Sequence, residues 1–105
     1  MASVSRKARL PVRDDPAYRD IIAAIQVGGR SHTAWYGFGS FFTESDSFSD
    51  IDLLAVCATV EQVSSIRAEM ATVCNDWPVH LLIMTESEAT ETNFIQSQQC
   101  IPILK

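Results

Sequence analysis

The run Asp50-Ile51-Asp52-Leu53-Leu54-Ala55-Val56 constrains this chain more than any other stretch. Its apolar residues read as a buried strand, yet two carboxylates stand at alternate positions at its start. In an extended chain alternate side chains share a face, so Asp50 and Asp52 project to one side and Ile51 and Leu53 to the other. Two carboxylates held that close repel each other and are poorly placed in a dry interior. The usual remedy is a hard divalent cation, and Mg²⁺ is typically held by one or two carboxylates together with substrate phosphates. Upstream, Gly39-Ser40 is separated from Asp50 by nine residues. It offers a turn whose bare backbone N–H groups suit a phosphate. The local reading is a metal-nucleotide site.

A chain of 105 residues, 47% of them apolar, is expected to form one domain with a single core. Its net charge of −5 argues against broad nucleic-acid binding, which needs basic clusters to displace counterions. The few basic residues gather as Arg6, Lys7, Arg9 and Arg13, which read as a solvated arm. No apolar run approaches the roughly 18 residues needed to span a bilayer, and no signal-peptide pattern is present. Cys57, Cys74 and Cys100 are odd in number and lack paired spacing. They read as small buried hydrophobes in a reducing cytoplasm, without a disulfide or zinc framework.

Residues 1–14 carry no periodicity and are expected to be an N-terminal arm, with the domain spanning 15–105. Asp15-Pro16 predicts a helix start. Tyr18, Ile21, Ile22 and Ile25 make its apolar stripe, and Gly28-Gly29 its end. Thr33 to Phe38 predicts a first strand, and Asp50 to Cys57 a second. Thr59 and Gln62 have the spacing of a capping box, opening one long helix with Val63, Ile66, Met70, Val73 and Cys74 on its buried face. Val79–Met84 is nearly all apolar and reads as a central strand. Thr85 and Glu88 make another capping box before a weaker helical region to about Gln98, and Ile101–Leu104 reads as an edge segment. The expected fold class is α/β (α+β), a sandwich built on a small mixed β-sheet flanked by helices.

Gly39-Ser40 followed by Ser49-Asp50-Ile51-Asp52-Leu53-Leu54 resembles the signature of the nucleotidyltransferase superfamily that includes DNA polymerase beta. The chain is most similar to its small stand-alone members, the minimal nucleotidyltransferases, from about residue 15 to the end. The resemblance implies that Gly39 and Ser40 bind nucleotide phosphates and that Asp50 and Asp52 bind Mg²⁺ or Mn²⁺. It implies transfer of a nucleoside monophosphate from a nucleoside triphosphate to a hydroxyl acceptor, with release of pyrophosphate. It also implies a partner, either a small helical protein in a toxin–antitoxin arrangement or a second copy that brings the acceptor.

Two departures from the family pattern stand out. Active members commonly carry a third acid on the next core strand, and that position here holds His80. An imidazole adds no negative charge to balance two cations and suits softer metals better. It can, however, accept a proton from an acceptor hydroxyl. The second departure is Phe41-Phe42-Thr43-Glu44, where many relatives have Arg-Gly. Phe41 and Phe42 are expected to pack beneath the site, and Glu44 reads as a solvated loop charge. The leading expectation is an active nucleotidyltransferase with Asp50, Asp52 and His80 as catalytic residues. The alternatives are a degenerate nucleotidyltransferase-fold binding module, antitoxin-like toward a small helical protein, and a structural fragment of a larger assembly.

Overall fold

The structure, a computed structural model, describes residues 16–28, 33–39, 42 and 50–104. Helix α1 (Pro16–Gly28) leads into strand β1 (Thr33–Phe38) and then strand β2 (Ile51–Cys57). Helices α2 (Gln62–Glu69) and α3 (Ala71–Asp76) precede strand β3 (Val79–Thr85). Helices α4 (Glu86–Thr92) and α5 (Phe94–Ser97) lead to strand β4 (Ile101–Leu104). The four strands form one mixed sheet in the order β3-β2-β1-β4. β1 runs antiparallel to β2 and to β4, whereas β2 and β3 are parallel, as their helical crossover requires.

Helices cover both faces of the sheet. Ile51, Leu53, Ala55 and Cys57 of β2 point toward α1, α2 and α3, where they meet Tyr18, Ile21, Ile25, Ile66, Met70 and Val73. Leu54 and Val56 point the other way, against Ala89 of α4 and Phe94 and Ile95 of α5. β2 is thus buried on both sides, which is why its sequence is apolar without alternation once Asp52 is passed. The stripe expected on α1 is realised, with Ile21 and Ile25 fully buried and Ile22 packed at the margin. The indole Nε1–H of Trp77 donates to Asp20 Oδ2 at 2.8 Å, tying the end of α3 to α1. Among the described residues no helix is long and apolar enough to cross a membrane.

Three local expectations are corrected. The single long helix is two, because the chain breaks at Met70 (φ −95°, ψ 2°), whose side chain is wholly buried. The break lets α3 direct Val73 onto the same core as Ile66. The first capping box is half made. Gln62 Oε1 accepts from the Thr59 N–H at 3.1 Å, but no side chain caps the start of α2. Backbone turns to the Thr59 and Val60 carbonyls take the Gln62 and Val63 N–H groups instead. Finally, β3 lies at a sheet edge and not at the centre. Val79, Leu81 and Ile83 pack on the first core, but on the other face His80 and Leu82 are exposed and Met84 alone packs under the helices. One covered face and one partly covered end suffice to make the run apolar. The second capping box, between Thr85 and Glu88, is complete.

Candidate active site

The candidate residues meet where the end of β1 lies beside the start of β2. The register pairs Phe38 with Asp52 across the antiparallel ladder and Asp52 with His80 across the parallel one. Pairing therefore brings Gly39, Asp52 and His80 to one level of the sheet. Because Ile51 and Leu53 are buried toward α1–α3, Asp52 emerges on the opposite face, at the end that α4 and α5 leave open. Asp50 stands just before the strand and is half-buried, as is Asp52.

Gly39 adopts φ +80°, the left-handed region in which a side chain is strained. A Cβ added there would run into the Asp52 carboxylate, lying 3.1 Å from its Cγ. The bare Cα is thus what lets the turn close over the carboxyl group. The turn itself is held by the Phe42 N–H donating to the Gly39 carbonyl at 3.1 Å. Phe42 is fully buried, edge-on to Tyr18 of α1 with ring centroids 6.4 Å apart. Its ring occupies the space that a Cβ on Gly37 would need. This bears out the packing role expected of Phe42, while Ser40, Phe41 and Glu44 lie outside the described residues. Gly37 positions Phe42, and through it the turn, by leaving room for the ring. A glycine inside a strand signals close approach by another group, and here that signal was available.

Electrostatically the site is two like charges with an imidazole beside one of them. Burial pushes the Asp52 carboxyl above its ordinary range, and the charge of Asp50 adds to the rise. The imidazole of His80 opposes both, through its charge and its contact with the carboxylate. His80 Nδ1 lies 3.5 Å from Asp52 Oδ1, and the histidine side chain is 74% exposed. The imidazole is therefore free to meet an incoming molecule on its other side.

Among the described residues, no cluster of three or more His, Cys, Asp or Glu is arranged to hold a metal ion. The two carboxylates nevertheless supply hard oxygen donors of the kind Mg²⁺ accepts when phosphates and water complete its shell. They suit such an open site and not a closed protein cage. Comparison of the chain with family models, curated proteins and solved structures gives no match.

Proposed function

We propose that the chain has the nucleotidyltransferase fold and transfers a nucleoside monophosphate from a nucleoside triphosphate to a hydroxyl on a protein or small acceptor. The observation that carries this reading is the bare Gly39 turn, at φ +80°, closed onto the carboxylate of Asp52. A bare backbone turn against one carboxylate, with a second carboxylate two residues earlier at the head of the same strand, suits a triphosphate carried with its cation. Neither half alone would favour that ligand.

Asp50 and Asp52 are the residues that would hold Mg²⁺ or Mn²⁺, which when bound supplies charge neutralisation and orientation for the triphosphate. Gly39 leaves its backbone open to a phosphate, and the Ser40 hydroxyl is assigned beside it from the resemblance. His80 accepts the proton of the acceptor hydroxyl as its oxygen attacks the α-phosphorus and pyrophosphate departs. The new bond is phosphorus to acceptor oxygen, and the bond lost is that to the β-phosphate bridge. Placement of groups accounts for most of the rate in such reactions, so loss of one carboxylate is severe.

The test is incubation with each labelled nucleoside triphosphate, Mg²⁺ or Mn²⁺, and lysate from the source cells. Labelling of a discrete acceptor that disappears with Asp52→Asn is the expected result. Absence of labelling with all four nucleotides, from a protein that folds normally, sinks the reading.

A second reading is favoured by His80 standing beside Asp52 where the resemblance calls for an acid. In it the chain binds nucleotide without transferring it and acts by occluding a partner. Thermal stabilisation by nucleotide without transfer separates the two. A ligand at 100 times its Kd adds about 2.7 kcal/mol.

A further inference from the structure

We propose that the free edge of β3 docks an extended, lysine- or arginine-rich segment of a partner polypeptide by strand addition. As the route by which an acceptor reaches the site, this rests on the transfer reading above; as a binding surface it stands alone. The Ile51 N–H donates to the Pro78 carbonyl at 2.8 Å, which sets the phase of the parallel ladder. Hydrogen bonding alternates along a strand, so His80, Leu82 and Met84 turn their N–H and C=O groups toward β2. Leu81 and Ile83 turn theirs outward. Among the described residues β3 pairs with β2 alone.

Proteins usually blunt such an edge with lysine, proline, a bulge or brevity. β3 has seven residues, Val-His-Leu-Leu-Ile-Met-Thr, with no proline and no charged acid or lysine among them. Its register with β2 runs without a shift from Ile51–Val79 to Cys57–Thr85. Leu82, at the middle of the strand, is 37% exposed. Among the described residues the edge is therefore open to main-chain pairing from Leu81 to Ile83.

Charge selects the occupant. From Arg67 to Lys105 the chain carries five acids, Glu69, Asp76, Glu86, Glu88 and Glu91, against those two terminal cations. Asp76 closes α3 just before the strand, and Glu86 opens α4 directly after it. Glu86 and Glu91 also line one shallow concavity on α4 with Ser87 and Thr90. A second copy would bring the same anionic stretch to the edge, and a nucleic acid would bring phosphates. A basic segment has the complementary sign. Running along β3, it passes His80, level with Asp52, so a serine or threonine at its end is carried to the level of the candidate site.

The test uses a short labelled peptide alternating lysine with valine and threonine, and the same peptide with glutamate for lysine. Binding is read by fluorescence anisotropy, and amide hydrogen exchange at Leu81 and Ile83 is read by NMR. The lysine peptide should bind and slow exchange at both amides, and the glutamate peptide should not. Ile83→Pro removes an outward N–H and should abolish binding. Glu86→Lys combined with Glu91→Lys, both on the surface, should weaken it about tenfold and guards against misfolding of the proline variant. No binding by the lysine peptide, binding without amide protection, or protection arising from self-association overturns the proposal. A nucleotide-induced thermal shift measured on the same sample keeps the two readings apart. Peptide failure with that shift intact removes only the docking edge, and peptide binding without it removes only the nucleotide site.

Discussion

Replacing Gly39 with alanine attacks the close approach of the β1 turn to Asp52, and the structure sets the size of the effect. At φ +80° a Cβ costs about 1–2 kcal/mol from backbone strain. The same Cβ meets the Asp52 carboxylate and must drive it from its rotamer, at about 0.5–1.5 kcal/mol more. The expected loss is about 1.5–3.5 kcal/mol, read as a lower urea midpoint at unchanged slope. The two parts separate in a double-mutant cycle. With Asp52→Ala the carboxylate is gone, so Gly39→Ala should cost only the backbone part, about 1–2 kcal/mol. An equal cost in both backgrounds, or a cost in wild type below about 0.5 kcal/mol, would refute the contact between the turn and the carboxylate.

Three further outcomes follow from named contacts. Thr85→Ala removes the hydroxyl that accepts the Glu88 N–H at 3.2 Å, while the Thr85 N–H keeps its 2.9 Å bond to Glu88 Oε1, and should cost about 1 kcal/mol in chemical denaturation. Trp77→Phe removes the indole bond to Asp20, exposed to solvent, and should cost about 1 kcal/mol; with Asp20→Ala already made, it should cost measurably less. For Asp52 the folded carboxyl titrates above its ordinary range, so its protonated form is the one folding favours. That contribution is complete below the ordinary carboxylate range and is lost as pH rises through the raised value. Asp52→Asn should flatten stability against pH in that window, while His80→Ala should raise the carboxyl's titration further by carbon-detected NMR.

Much of this fold was legible because its signals are local. Thr33–Phe38 and Ile101–Leu104 begin and end where their sequence suggests, and Thr85 caps α4 as its spacing with Glu88 requires. The break at Met70 left no mark, since Glu69, Met70 and Ala71 all favour helix and the kink answers to core packing. The edge placement of β3 was hidden for a related reason. A strand's apolar content reports how much of it is covered, not how many strands flank it. At the site, the closeness of Asp50 to Asp52 in sequence was plain, whereas the adjacency of His80 to Asp52 is a matter of register between strands separated by two helices. The role of Gly39 could be named from its turn, but its contact with a particular carboxylate depends on the pairing of β1 with β2.

That pairing carries a cost for error that falls on the site itself. Were β2 to slip by one residue against its neighbours, Asp52 would turn in among Trp35, Ile21 and Ile66, and Leu53 would leave that core for the opposite face. An ionised, unpaired carboxylate in such a core costs several kcal/mol, a large share of the stability of a domain this size. The same acid that the proposed chemistry needs therefore penalises wrong strand alignments during folding. A chain that has passed this check has, by the same act, assembled its candidate site.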